Sequence, residues 1–172
     1  RDLGFMDDIK KISELLPNKH QTLMFSATFT DQIKTLANTM LHEPQLIEVE
    51  AANTTVDNIK QTLYHVDKNQ KSNVLIHLLS KHNWQQVLVF SRTKQGADAL
   101  VTTLKEAGIS AESIHANRTQ HARTEALAAF KNNDINVLVA TDIAARGIDI
   151  NHLPCVINYD LPYVAEDYVH RI

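Results

Sequence analysis

The sequence predicts an α/β protein built on an open parallel sheet that is flanked by helices. Segments of strand length alternate with segments whose apolar residues recur at helical spacing, which is the pattern of β-α-β units. Two strand segments, QVLVF at 86–90 and NVLVA at 136–140, are apolar almost throughout, as expected of strands covered on both faces. Because crossovers between parallel strands are right-handed, a doubly wound sheet is the leading topology.

The first fifty residues predict two helices and two short strands. The helical positions are Ile9, Ile12, Leu15 and Leu16 in the first helix, and Ile33, Leu36, Ala37, Met40 and Leu41 in the second. Short apolar segments at 21–25 and 46–49 are typical of strands. Residues 51–58, AANTTVDN, are small and polar and contain no core-forming cluster, which predicts a linker between two domains.

A regular alternation follows the linker. Strands are predicted at 62–66, 86–90, 110–115, 136–140 and 154–159. Helical stripes are predicted between them at 74–79, 97–107 and 122–130, and a last helix within 164–172. Gly108 is placed where a glycine commonly ends a helix, directly after the second stripe.

Composition and charge restrict the classes of protein to which the chain can belong. The 172 residues are 44% hydrophobic and 22% charged, which is typical of a globular chain. The net charge of −3 gives no general basic field, so nucleic-acid binding needs a local cluster of cations. A single cysteine, Cys155, suggests a reducing compartment such as the cytoplasm. No apolar segment is long enough for a membrane span, and the nine histidines indicate no metal site.

Polar and cationic side chains directly follow the predicted strands. Ser91-Arg92-Thr93-Lys94 follows one strand, residues 116–120 follow the next, and Thr141-Asp142 follows NVLVA. Because the carboxyl ends of parallel strands meet at one edge, where open α/β sheets bind ligands, these groups are expected to lie close together. Hydroxyls, helix N-termini and cations (Arg92, Lys94, Arg118 and Arg123) suit the phosphates of an anionic polymer. Taken singly, each hydroxyl or carboxylate is better explained as a helix cap, and each cation as a solvated side chain.

Five motifs in order resemble those of the DEAD-box ATP-dependent RNA helicases, over essentially the whole chain. They are SAT at 26–28, LVFSRTK at 88–94, HANRTQHAR at 115–123, ATDIAARGIDI at 140–150 and YVHRI at 168–172. The opening RDLGF is similar to the stretch after the DEAD box, and the likeness is to the small bacterial RNA helicases. The resemblance implies two RecA-like domains, of the P-loop NTPase-like helicase type. Residues 1–50 would be the C-terminal part of the first domain, 51–58 the linker, and 59–172 the second domain, truncated at its end.

The resemblance also implies a role for each motif residue. Coupling of ATP hydrolysis to RNA and to domain closure would fall to Ser26 and Thr28. The interdomain face would contain His170 and Arg171, which serve the same coupling. Gly147 and Asp149 would approach the nucleotide, ATP with Mg²⁺, whose metal ligands are expected mostly outside this segment. The residues implied along the RNA backbone path are Arg92, Thr93, Lys94, Gln120, Arg123, Thr141 and Asp142. Ribosome-assembly or RNA-degradation factors are implied as possible further partners, and no membrane.

Departures from the family pattern leave an alternative open. The phosphate-binding loop and the DEAD carboxylates are absent from the sequence, so the chain is expected to be an excised segment that is inactive alone. Ala116 stands where the family usually has glycine. The alternative is a non-enzymatic RNA-clamping or partner-binding module derived from the helicase fold.

Overall fold

The computed structural model describes residues 5–26, 29–48, 59–145, 148, 150, 153–163 and 165–171, without the side chains of Glu166, Val169 and His170. The chain divides into two compact units, residues 1–51 and 52–172. None of the described helices is long and apolar enough to cross a membrane.

The first unit contains the two predicted helices, α1 (Met6–Glu14) and α2 (Asp31–Met40). Thr30 caps α2, since its hydroxyl oxygen accepts a hydrogen bond from the Ile33 N–H at 3.4 Å. The strands predicted at 21–25 and 46–49 are wrong for the described residues, which form no strand. A strand needs a neighbour for its backbone groups, and this unit contains no other strand among its described residues. Phe25 is accordingly 89% exposed.

The second unit is built on a four-stranded parallel sheet, which confirms the predicted fold class. The strands are β1 (Val87–Phe90), β2 (Ala111–Ile114), β3 (Val137–Ala140) and β4 (Cys155–Asn158). Their spatial order is β2-β3-β1-β4. In register, Val89 lies opposite Val139 on one side and Ile157 on the other.

Helices alternate with these strands. A 3₁₀ helix (Lys68–Gln70) leads into α3 (Lys71–His82), and the later helices are α4 (Lys94–Glu106), α5 (Gln120–Lys131), α6 (Asp142–Ala145) and α7 (Ala165–Arg171). Thr93 and Thr119 cap α4 and α5 through their hydroxyl oxygens. Gly108 follows α4 with φ +78°, a left-handed conformation that glycine adopts without strain, as predicted.

Each face of the sheet carries its own apolar core. The side chains of Val87, Val89 and Val137 are fully buried under α3 and α4, together with Leu104. On the opposite face, Leu138 and Phe130 are fully buried with α5 and α6. The two apolar strands are therefore covered on both sides, as their sequences predict.

The strand predicted at 62–66 is wrong. These residues form no ladder, and Leu63 and Tyr64 are 72% and 52% exposed. Alternation of apolar and polar residues also occurs in exposed segments outside any sheet, because strand preference depends on packing against neighbours rather than on the backbone alone.

The order of the strands creates a crevice. The connection from β1 leads through α4 to β2, while the connection from β3 leads to β4 on the other side of β1. Neighbouring strands β1 and β3 thus send their chains in opposite directions. The carboxyl ends of such a pair are where open α/β sheets bind ligands.

Candidate functional site

The carboxyl edge, meaning residues 91–94, 115–123, 141–142 and 158–163, contains most of the predicted site residues. After β1, the buried Ser91 hydroxyl lies 3.3 Å from the Thr93 carbonyl oxygen and 3.4 Å from Asp160 Oδ2. The Arg92 side chain is exposed. Its Nη1 donates to the Tyr163 hydroxyl at 3.2 Å and its Nη2 to the Leu161 carbonyl at 3.3 Å, and the guanidinium stacks on the Tyr163 ring at 4.4 Å.

Thr93 and Lys94 begin α4. The Thr93 hydroxyl oxygen accepts a hydrogen bond from the Gly96 N–H at 2.9 Å, so its hydrogen is left for an outside acceptor. A Cβ at position 96 would meet Thr93 Oγ1 at 2.7 Å, which explains the glycine. Lys94 Nζ donates to Asn117 Oδ1 at 2.8 Å and thereby joins the residues that follow β1 to those that follow β2.

A polar network supports the residues that follow β2. The buried His115 places Nε2 2.8 Å from Asp98 Oδ1, and the Ser113 hydroxyl donates to the same oxygen at 2.6 Å. Burial raises the pKa of Asp98, but the hydrogen bonds from Ser113 and His115 and the nearby positive charge outweigh it, so that the pKa lies below its usual value. The His115 carbonyl accepts from the Arg118 N–H at 3.1 Å, which shapes the turn that contains the exposed Ala116.

Gln120 and Arg123 lie on the first turn of α5. Arg123 Nη1 donates to Gln120 Oε1 at 3.4 Å, so the two predicted side chains are neighbours. The Nε of Arg123 is buried and has no hydrogen-bond partner among the residues that the structure describes. A buried donor of this kind favours an external acceptor.

Asp142, which follows β3, is held by a buried arginine. Arg171 donates from Nε to Asp142 Oδ1 at 2.6 Å and from Nη2 to Oδ2 at 2.7 Å. Its Nη1 donates to Asn158 Oδ1 at 2.9 Å and to the Asp160 carbonyl at 2.6 Å. The side chain of Arg171 is 2% exposed, and its guanidinium covers the Phe90 ring at 4.7 Å. Thr141, directly before Asp142, is buried.

The structure gives Arg171 contacts within the second unit, where its guanidinium is buried and binds Asp142. The place at an interdomain face that the resemblance implies stays a prediction. Its direct effect is therefore on the residues that follow β3 and β4.

Several predicted residues cannot be placed. Thr28, Gly147 and Asp149 lie outside the described residues, as does the side chain of His170. Ser26 is described in the first unit, where it is exposed and follows segment 21–25, which forms no strand. The structure thus brings the predicted RNA-binding residues together and leaves the predicted nucleotide-binding residues untested.

Sequence reasoning missed Asp160. This carboxylate accepts from the Arg92 N–H at 3.0 Å and from Lys71 Nζ at 2.5 Å. Burial raises its pKa, but the hydrogen bonds from Lys71 and from the Arg92 backbone lower it by more, so that the net shift is downward. Asp160 follows an apolar strand in the same way as Asp142, and applying that rule to the last strand would have found it. No comparable pattern in the sequence points to Lys71.

The described residues offer little to a metal ion. His121 Nε2 lies 3.3 Å from Glu125 Oε1 on the exposed face of α5. In the part of the chain that the structure describes, no group of three or more His, Cys, Asp or Glu side chains could hold a metal.

Comparison with known families agrees with this geometry. Residues 70–172 match the family described as the Helicase conserved C-terminal domain. The chain belongs to this helicase family. The matched range includes the sheet and every described residue of the carboxyl edge.

Similar proteins are DEAD-box helicases. The DEAD-box ATP-dependent RNA helicase CshA of Bacillus subtilis is 44% identical over 99% of the chain, which spans 35% of its length. The structure of Saccharomyces cerevisiae Dbp5 bound to RNA and ADP BeF3 is similar over 98% of the chain and 45% of its own, with 30% identity and a TM-score of 0.86. That of Escherichia coli SrmB bound to regulator of ribonuclease activity A covers 61% of the chain and 62% of its own, with 38% identity and a TM-score of 0.58.

These findings confirm the predicted resemblance to DEAD-box helicases and the predicted helicase fold. The chain spans about a third of the length of the curated relatives it matches.

Proposed function

We propose that the protein containing this chain is an ATP-dependent RNA helicase and that the carboxyl edge of the second unit holds the RNA backbone. One observation carries the proposal. Residues that follow four neighbouring parallel strands are tied into one edge by hydrogen bonds, and three cations (Arg92, Lys94 and Arg123) lie along it.

The chemistry of this edge suits a phosphate chain. Arg92 and Lys94 are held by neutral oxygens of Tyr163, Leu161 and Asn117 rather than by carboxylates, so their charge is not cancelled. A phosphate oxygen forms charge-assisted bonds with such donors, which are stronger than the neutral bonds they replace. The N-termini of α4 and α5 add oriented N–H groups. None of these groups distinguishes one base from another, and binding is expected to be independent of sequence.

The assignment of ATP rests on the relatives and on the motif at 140–150. Gly147 and Asp149 are proposed to approach the nucleotide, and Ser26, Thr28 and His170 to couple hydrolysis to domain closure. Because no acidic cluster for Mg²⁺ occurs among the described residues, we assign its ligands to a part of the parent protein beyond this chain. When bound, ATP and Mg²⁺ would supply phosphoryl transfer to water, in which positioning and charge stabilisation dominate.

The role of this chain is then to hold one strand of RNA. Backbone contacts on the second unit, together with contacts from the first domain, would strain and separate short duplexes as the two domains close. Arg171 contributes by orienting Asp142, and His115 by shaping the turn at Ala116.

We further propose a cytoplasmic location, and ribosome-assembly or RNA-degradation factors as partners. The relatives support the proposal of such partners, because SrmB is seen bound to a regulator of ribonuclease activity.

The test measures RNA-stimulated ATP hydrolysis and RNA affinity in the full-length protein. Arg92→Ala and Arg123→Ala should each raise the RNA concentration for half-maximal stimulation by about tenfold, since a charged hydrogen bond contributes roughly 1.5–3 kcal/mol. Lys81→Ala, at the far end of α3, is the matched control and should have no effect. Unchanged RNA affinity in both arginine variants would contradict the proposal. RNA binding without any ATPase activity in the wild type would instead favour the clamping module.

A further inference from the structure

We propose that Asp160 is a positioning residue that fixes the RNA-contacting segment after β1, and that Lys71 holds Asp160 in place for this task. The proposal rests on the function proposed above, since it assumes that Arg92 contacts RNA.

The carboxylate of Asp160 divides its two oxygens between two elements. Oδ2 accepts from the Arg92 N–H at 3.0 Å and lies 3.4 Å from the Ser91 hydroxyl. Oδ1 accepts from Lys71 Nζ at 2.5 Å. Both carboxylate oxygens are thus used within the protein, and Asp160 is not itself a ligand group for RNA.

The backbone of Asp160 is fixed as well. Its N–H donates to the Phe90 carbonyl at 3.1 Å, which extends the pairing of β1 with β4 by one bond. Its carbonyl accepts from the buried Arg171 at 2.6 Å. Asp160 is therefore a rigid support for the residues that leave β1.

Arg92 depends on this support for both its backbone and its side chain. The N–H of Arg92 bonds Asp160, and its guanidinium bonds Leu161 and Tyr163 of the same segment. If Asp160 no longer binds the Arg92 N–H, the segment 91–93 loses the bond that fixes its backbone to the 160–163 segment, and only the side-chain bonds of Arg92 to Leu161 and Tyr163 remain. The Arg92 guanidinium would then have to be ordered when RNA binds, and this ordering costs affinity.

Lys71 connects the site to the beginning of the second unit. It is the first residue of α3, and its ammonium also lies 4.3 Å from the centre of the Tyr159 ring. The pair is partly buried, with side-chain exposures of 27% for Lys71 and 23% for Asp160. Such a pair is shielded from salt more than a surface pair, so it restrains α3 and β4 together.

The sign of the charge makes the proposal testable. A carboxylate beside an RNA-binding arginine repels phosphate, so a purely electrostatic role predicts that Asp160→Asn strengthens RNA binding. A positioning role predicts the opposite, because the loss of order at Arg92 outweighs the removal of one negative charge.

The experiment measures binding of a fluorescein-labelled single-stranded RNA by the full-length protein, using fluorescence anisotropy at one salt concentration. Asp160→Asn and Lys71→Met should each weaken binding by about three- to tenfold. The control is Asp134→Asn, an exposed carboxylate between α5 and β3, which makes the same charge change and should leave affinity unchanged or slightly higher. Equal or tighter binding by Asp160→Asn would overturn the proposal.

A double-mutant cycle separates positioning from general destabilisation. In an Arg92→Ala background, Asp160→Asn should have less than half its effect on RNA affinity, because the group it positions is gone. Additive effects in proteins that melt well above the assay temperature would refute positioning through Arg92. A wild-type protein that does not bind RNA at all would instead overturn the proposed function.

Discussion

Arg171 shows how one buried side chain can organise several segments. Its guanidinium meets Asp142 with two parallel bonds and reaches Asn158 and Asp160 with a third nitrogen. Only a planar fork with several donors can do this, and the ammonium of lysine cannot. An exposed arginine at this position would be available to phosphate, whereas the buried Arg171 fixes the groups around it.

Arg171→Lys should therefore destabilise the chain. We expect the free energy of unfolding to fall by roughly 2–4 kcal/mol, because Asp142 loses its bidentate partner in a partly buried site. Urea unfolding measures the change. Combining Arg171→Met with Asp142→Asn removes both charges and should recover part of the loss. A loss of less than 0.5 kcal/mol in Arg171→Lys would contradict this account of the pair.

The Asp98 carboxylate predicts a dependence of stability on pH. Its pKa lies below the ordinary 3.8, so the folded state releases this proton more readily than the unfolded state. The carboxylate then stabilises the fold above pH 3.8, and the contribution is lost as the pH falls through the folded pKa. Asp98→Asn should lower the urea midpoint at pH 7, and should lower it by less at an acidic pH below the folded pKa of Asp98. The exposed Asp134→Asn serves as control, and an equal loss at both pH values would argue against the carboxylate.

At the scale of elements, the sequence predicts the helices and strands that a local pattern of apolar residues determines. Helices α3 to α5 and strands β1 to β4 were predicted because their apolar residues reflect burial within the second unit. Helices α1 and α2 were predicted from the same spacing, although none of their residues is buried, and α6 was not predicted as a helix. The segments 21–25, 46–49 and 62–66 have similar patterns but no strand partner among the described residues, and pairing is a property of the tertiary structure. The residues of the candidate site also divide into those that the local sequence predicts and those that only the tertiary structure brings there. Arg92, Lys94 and Arg123 were found by their place after strands, whereas Lys71 joins Asp160 from 89 positions away.

Gln86 links two elements and gives a prediction at this scale. It precedes β1 with φ +56°, and its Nε2 donates to the last carbonyls of α5, Phe130 at 3.1 Å and Lys131 at 3.2 Å. Gln86→Ala loses both hydrogen bonds, which should cost about 1–3 kcal/mol, and keeps the strained positive φ that the glutamine already has. Gln86→Gly should recover about 1 kcal/mol of this, because glycine adopts a positive φ freely. Chemical denaturation would show the order, and a glycine variant no more stable than the alanine variant would count against it.

For the whole molecule, a net charge of −3 coexists with a local cationic edge. RNA binding should therefore weaken steeply with salt even though this chain as a whole is acidic. If Arg92, Lys94 and Arg123 each neutralise one phosphate, the logarithm of the binding constant should fall against the logarithm of salt concentration with a slope of about −2. Replacing any one of them with alanine should reduce the slope by about 0.7. Anisotropy titrations from low to high salt measure it, and a slope near zero would exclude backbone binding at this edge.

The contacts of Asp160 join residues that are far apart in the sequence, and this has a consequence for the synthesis of the chain. Arg92 leaves the ribosome well before Asp160, which lies 68 positions later, and Arg171 comes later still. At about 5–20 residues per second, the nascent chain spends roughly 3–14 seconds with its cationic segment made but not yet supported. The RNA affinity proposed for this unit is then expected to reach its full value only late in translation, after the segment that contains Asp160 has been made.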